Sequence, residues 1–267
     1  MAYADVHEIL PDMCRHWAVG PMRLWLRHTE AEWHMSVDYM AELPVEGAVA
    51  SACPVFGDDC ADPPADLEWR RWAGIEGMSQ VRVTPVMPDR AVMVRPEGPL
   101  EIPKGRWALF FVSIPVWLRV SVGPDPEVTL CEVPTVVLSN TWFGDPSTGE
   151  LCYSLTSRAR RAFRPNQTEP HCALCPVTVR NDSSEELAMD RVCLRVEHLA
   201  VYEGASQLWT NGATLRFHTG EQGGQVEFDN AAPGFEAVGP ALGEPREPFR
   251  RGLLKRSFSN FKFMAGL

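Results

Sequence analysis

His171-Cys172-Ala173-Leu174-Cys175 is the stretch of this chain most like a metal site. Two thiolates three residues apart can grip one Zn²⁺ from a single turn, and a tetrahedral site then needs two more ligands. His171, Cys152 and Cys193 are the available donors. No second closely spaced cysteine pair accompanies them, and no cysteine follows Cys193. Cys193 also sits between Val192 and Leu194, where a buried thiol behaves as a small hydrophobe. The expectation is therefore reduced, metal-free cysteines and no cofactor, with zinc at Cys172, Cys175, His171 and Cys193 as the alternative.

Arg158, Arg160, Arg161 and Arg164 form a dense basic run in an otherwise acidic protein. Guanidinium groups bind carboxylate or phosphate bidentately, so the run is a candidate site for a small anionic ligand. The competing reading is a solvated strand end, or arginines crossing to acidic residues of the other lobe. A third candidate is Thr141-Trp142-Phe143-Gly144-Asp145-Pro146. Trp142 beside Asp145 offers an aromatic face and a carboxylate to a sugar or base, although a tryptophan at a strand end also serves as a lid on its own core.

Several familiar chemistries lack their residues. There is no Gly-rich phosphate loop ending in Lys-Ser or Lys-Thr, and no dinucleotide Gly-x-Gly-x-x-Gly. Ser79, Ser147 and Ser206 lack the glycines of a nucleophile elbow. His7-Glu8 is not followed by the second histidine that a zinc protease needs. The formal net charge of −10 repels polyanions and argues against general nucleic-acid binding.

The elements that must position these residues read as β. The chain has 267 residues, 45% of them hydrophobic and 22% charged, with 23 prolines and 20 glycines scattered throughout. Such punctuation suits many short strands joined by turns. In Pro21 to Ala41, Met22, Leu24 and Leu26 alternate with Arg23, Trp25 and Arg27. A polar turn at Thr29-Glu30-Ala31 follows, and alternation resumes through Trp33, Met35 and Val37, which predicts a hairpin. Glu42 to Pro64 reads as a loop. Leu67 to Ala73 fits a helix or a strand, and its surroundings favour strand. Gln80 to Val83, Ala91 to Val94, Ala108 to Val122 with a kink at Pro115, Val128 to Ser139 and Glu150 to Thr156 continue the β pattern. Arg164 to His171 is polar, carries two prolines and reads as a linker. Beyond it come Val177 to Arg180, a turn at Asn181 to Glu185, and short strands as far as Phe228. The predicted fold is mainly β: two packed antiparallel sandwich-like lobes with little helix, residues 1–164 and 165–267.

The tail from Phe249 to Leu267 places Leu254, Phe258, Phe261 and Ala265 on one face of a helix, with basic flanks. Docking on the protein's own sandwich is expected, with an acidic partner or membrane surface as the alternative. Met1 to Trp17 has no basic start followed by an apolar core, and the longest apolar run, Trp107 to Leu118, falls short of a bilayer span. A cytoplasmic protein without a transmembrane segment is expected.

Three stretches together resemble an uncharacterised prokaryotic family catalogued as domain of unknown function 432. They are Val83 to Val120, Leu138 to Leu155 and Cys175 to Gly204. The resemblance implies a β-rich bacterial or archaeal protein and supplies no catalytic residues. The function class expected is a non-catalytic binding or interaction module for an unknown protein or small anionic ligand. The alternative is an enzyme of unrecognised type or a carbohydrate-binding β protein, with its site where the lobes meet near Trp142 and the arginines. The oligomeric state is left open.

Overall fold

The computed structural model describes residues 5–40, 55–57, 63–74, 77–124, 128–144, 146–147, 149–163, 168–218 and 225–248. Among them there is no α-helix, and one 3-10 turn at Val196–His198 is the single helical element. The expected mainly β architecture is present.

The chain divides into two compact units, each assembled from segments distant in sequence. The first takes Met1–Val86, Pro115–Val137 and Glu169–Cys172; the second takes Met87–Ile114, Leu138–Thr168 and Ala173–Leu267. This differs from a division at residue 164, because strands before that point belong with the C-terminal ones. Pro115, read in the sequence as a kink, is one of the places where the chain changes unit.

The first unit holds two antiparallel sheets. In one, Cys14–Val19, Met22–His28, Glu32–Tyr39 and Arg70–Ala73 pair in succession, with Val55–Gly57 on the outer edge of Cys14–Val19. In the other, Val6–Glu8, Gln80–Val86, Trp117–Val122 and Val128–Pro134 follow one another. Met22, Leu24 and Leu26 are wholly buried and Arg23 and Arg27 half-buried, as alternation requires, but Trp25 on the opposite face is buried as well. Burying each such apolar side chain contributes about 2 kcal/mol. Contacts join the two sheets inside this unit. The Tyr39 hydroxyl donates to the Pro134 carbonyl at 2.7 Å, and the Cys131 sulfur lies 3.4 Å from that of Met35. At the far end of the hairpin, His28 and Trp33 are register partners whose rings stack at 4.2 Å.

The turn between Val19 and Met22 is Gly20-Pro21, with Gly20 at φ 58°. This is the Gly-x arrangement of a two-residue hairpin loop, and glycine adopts that φ at no steric cost. A side chain on Gly20 would also be driven into the imidazole of His171. Gly20→Ala is therefore expected to cost about 2 kcal/mol of stability. A urea midpoint within error of the parent's would show that His171 moves aside freely.

The second unit contains a large mixed sheet ordered Gln225–Phe228, Ala213–Phe217, Cys172–Asn181, Leu208–Thr210, Val201–Gly204 and Val238–Gly243, with Trp107–Pro115 also paired to Cys172–Asn181. A four-stranded sheet runs Ser139–Phe143, Glu150–Ala159, Val92–Pro96 and Val192–Leu194, and a small ribbon pairs Leu100–Ile102 with Leu187–Met189. Val94, Ala159 and Leu194 of the four-stranded sheet meet Phe110, Val112 and Val177 of the large one. Among the described residues three pairings in this unit are parallel: Cys172–Asn181 with Leu208–Thr210 and with Ala213–Phe217, and Glu150–Ala159 with Val92–Pro96.

The parallel run along Cys172–Asn181 slips by one residue at Asn211-Gly212, since Ala173 pairs with Leu208 but Val177 with Ala213. The buried Asn211 amide holds this bulge: it accepts from the Ala200 backbone N–H at 2.8 Å and donates to the Asp229 carbonyl at 2.7 Å. A Cβ at Gly212 would displace the Asp229 carboxylate.

Candidate functional site

The arginine run does not form one cluster. Arg158 and Arg160 lie two apart on or beside the strand Glu150–Ala159, and Arg161 follows as the strand turns away. The exposed Arg160 places its Nε 3.2 Å from Glu97, while its backbone exchanges hydrogen bonds with Phe111 at 2.7 and 3.0 Å. Arg161 donates to the Leu109 carbonyl at 2.5 Å and covers the Phe110 ring at 5.1 Å. Arg160 is thus engaged with an acidic side chain of its own unit, and Arg161 with a backbone carbonyl. Arg164 lies outside the described residues.

Arg158 has a different setting. Its register partner across the parallel pair is Arg95, so two exposed arginines stand directly side by side on neighbouring strands. Like charges at that position repel. Among the described residues, neither guanidinium has a carboxylate within ion-pairing distance. Both line a cleft of about 420 Å³ formed by Arg95 to Glu101, Arg158 and Ala188 to Asp190. The ribbon pairing Met189 with Leu100 and Ala188 with Glu101 contributes both apolar and acidic lining. Glu101 and Asp190 bring acidic side chains to that lining.

Trp142 is 47% exposed on the terminal strand of the four-stranded sheet, directly opposite Leu151, itself 46% exposed. It does not line the arginine cleft. Asp145 lies outside the described residues.

The sulfur ligands are dispersed. Cys172 and Cys175 are both buried on one strand, where an odd spacing sends side chains to opposite faces. Burial pushes the Cys175 thiol up to about 12 and raises that of Cys172 further, so both resist forming the thiolate that zinc requires. Cys175 points to the carbonyls of Pro176 and Asn211, at 3.9 and 3.8 Å. His171 is buried, and its Nδ1 has no hydrogen-bond partner among the described residues. Cys193, on Val192–Leu194, keeps company with Cys152 and Glu150 instead; the neighbouring Cys152 thiol and burial hold it protonated. Among the described residues no three His, Cys, Asp or Glu side chains are grouped to hold a metal ion.

Arg95 is the residue the sequence reading passed over. Its signal was present: it is the first charge after the apolar run Ala91 to Val94, as Arg158 is a charge near the end of Glu150–Ala159. Their juxtaposition depends on a parallel register that no local pattern announces.

The units are antiparallel and mixed β-sheet assemblies, and the arginine cleft is cut into the second of them. Residues 5–265 match the family described as Protein of unknown function (DUF432), and the chain belongs to that family. No curated protein and no solved structure matches the chain. Among the described residues no helix is long and apolar enough to cross a membrane.

Proposed function

We propose that this protein is a non-catalytic binding module that takes a small anion in the cleft lined by Arg95 and Arg158. One observation carries the reading: two arginines are opposed in register, where their charges repel, and no carboxylate of the described residues pairs with either. An anion bridging both guanidinium groups relieves that repulsion and gains charge-assisted, bidentate hydrogen bonds. Glu101 and Asp190 in the lining disfavour an extended polyanion, as does the net charge of −10. A compact phosphate, sulfate or carboxylate fits; a nucleic acid does not.

The test is thermal shift with inorganic phosphate, sulfate and small carboxylates on the parent and on the double variant Arg95→Ala, Arg158→Ala. Removing two like charges should leave the ligand-free melting temperature equal or higher. At an anion concentration a hundredfold above Kd, the parent is expected to gain about 2.7 kcal/mol of stability, and the variant almost none. An anion-dependent rise that survives in the double variant places the site elsewhere. Arg161→Ala serves as the control and should retain the rise, because Arg161 is engaged with the Leu109 carbonyl and does not line the cleft.

A further inference from the structure

A second cleft of about 420 Å³ opens in the same unit, under the segment from Asp229 to Phe235. Its polar and aromatic lining includes Thr178, Phe228, Asp229, Asn230 and Phe235, with Leu109 on the apolar side. No described residue lining it carries a positive charge. This distinguishes it from the arginine cleft, and it gives an anion nothing to bind.

Phe235 is the unusual member. It is 43% exposed, yet its ring is fixed from behind. The wholly buried Trp209 lies nearly parallel to it at 5.7 Å and 9°, and Phe111 meets it edge-on at 5.0 Å and 77°. Phe163 in turn packs edge-on against Trp209 at 5.0 Å. One face of Phe235 is backed by this aromatic stack, so its exposed area belongs to the rest of the ring. Phe235 thus presents an aromatic surface to solvent while being packed against other rings.

The segment carrying it is braced at both ends. The Asp229 N–H donates to Gly212 at 2.9 Å, and the Asp229 carbonyl accepts from Asn211 at 2.7 Å. At the other end the Glu236 carboxylate accepts from the Ser206 N–H at 3.1 Å and the Ser206 hydroxyl at 2.7 Å. The carboxylate of Asp229, by contrast, makes no hydrogen bond among the described residues while lining the cleft. A fixed aromatic face, an available carboxylate, a hydroxyl and an amide, with no cation, match one kind of ligand. It has an apolar face of C–H groups to lay on a ring and hydroxyls to donate to acceptors at the rim.

We propose that this cleft binds a neutral saccharide, with one sugar ring stacked on Phe235 and its hydroxyls donating to Asp229. The proposal is independent of the anion cleft. Its test is calorimetric titration of the full chain with glucose, galactose, mannose and N-acetylglucosamine, and affinity electrophoresis in gels containing soluble glucan, mannan or xylan. At least one of these is expected to bind. Phe235→Ala and Asp229→Asn should each weaken that binding at least tenfold, while Phe235→Trp, which keeps an aromatic face, should retain it. The Arg95→Ala, Arg158→Ala variant should bind saccharide as the parent does. Asp229→Asn leaves both backbone braces intact, so it reads the site even if Phe235→Ala fails to fold. No binding to any of these saccharides would overturn the proposal. Binding undiminished in Asp229→Asn and Phe235→Ala would do the same.

Discussion

Asn181→Leu is expected to destabilise the protein by about 4 kcal/mol or more. Leucine nearly matches asparagine in volume, so the loss is one of hydrogen bonds and not of packing. The wholly buried Asn181 amide donates to the Ile102 carbonyl and the Glu185 carbonyl, both at 2.7 Å. Its oxygen accepts from the Ser183 N–H at 3.0 Å and the Ser183 hydroxyl at 2.5 Å. Each bond contributes about 1 kcal/mol net, and a buried carbonyl stranded without its donor costs about 1–3 kcal/mol more. Ile102 is itself buried, so water does not readily replace the lost donor. Ser183→Ala removes only a half-buried hydroxyl of the same network and should cost about 1 kcal/mol. Urea denaturation of the two variants decides the matter, and near-equal midpoints would refute the assignment of Asn181 as the knot of this turn. Ile102 ends the ribbon strand that carries Glu101, so loosening it should also weaken anion binding in the neighbouring cleft.

The second large effect is acid sensitivity through His171. Burial lowers its pKa from 6.5 to about 4 in the folded protein. The unfolded chain therefore takes up a proton at a pH where the folded one does not. Above pH 6.5 the residue is neutral in both states and contributes no pH dependence. As pH falls through 6.5 the unfolded state is favoured increasingly, and the loss levels off below about 4 at about 3 kcal/mol. His16 shifts in the same direction, through burial and the nearby Arg23, so the diagnostic quantity is a difference between proteins. Unfolding free energies of the parent and His171→Leu, measured between pH 4 and 8, should run parallel above 7 and diverge below 6.5. Parallel curves throughout that range would mean that His171 does not titrate on unfolding.

What could be read in advance follows from where the information lies. The hairpin of Met22–His28 and Glu32–Tyr39 was legible because one face is buried and alternation records that directly. Arg70–Ala73 was legible as strand from its setting. Val6–Glu8, Cys14–Val19 and Val238–Gly243 were not, because they are short or only partly buried and alternate weakly. Val55–Gly57 lay inside a stretch whose glycines and prolines read as loop. The anion site was half legible. A run of arginines is visible in one dimension, but the pairing of Arg158 with Arg95, and the diversion of Arg160 and Arg161 to Glu97 and Leu109, are products of register. The aromatic platform was invisible for the same reason, since Phe111, Phe163, Trp209 and Phe235 come from four separate parts of the chain. The basic-aromatic tail from Phe249 to Leu267 lies outside the described residues.

The interleaving of the two units has a consequence for how the protein is made. The chain changes unit after Val86, Ile114, Val137, Thr168 and Cys172. A ribosome releases the residues in order, so the first 86 emerge while Trp117–Val122, the strand that pairs with Gln80–Val86, is still unsynthesised. Until then Gln80–Val86 presents an unpaired apolar edge, the kind of surface that seeds aggregation and attracts chaperones. Neither unit can be excised as a contiguous fragment, so a truncation at any single point leaves at least one of them incomplete. Folding has to wait for most of the chain, and the many long-range pairings predict a slow rate once it begins.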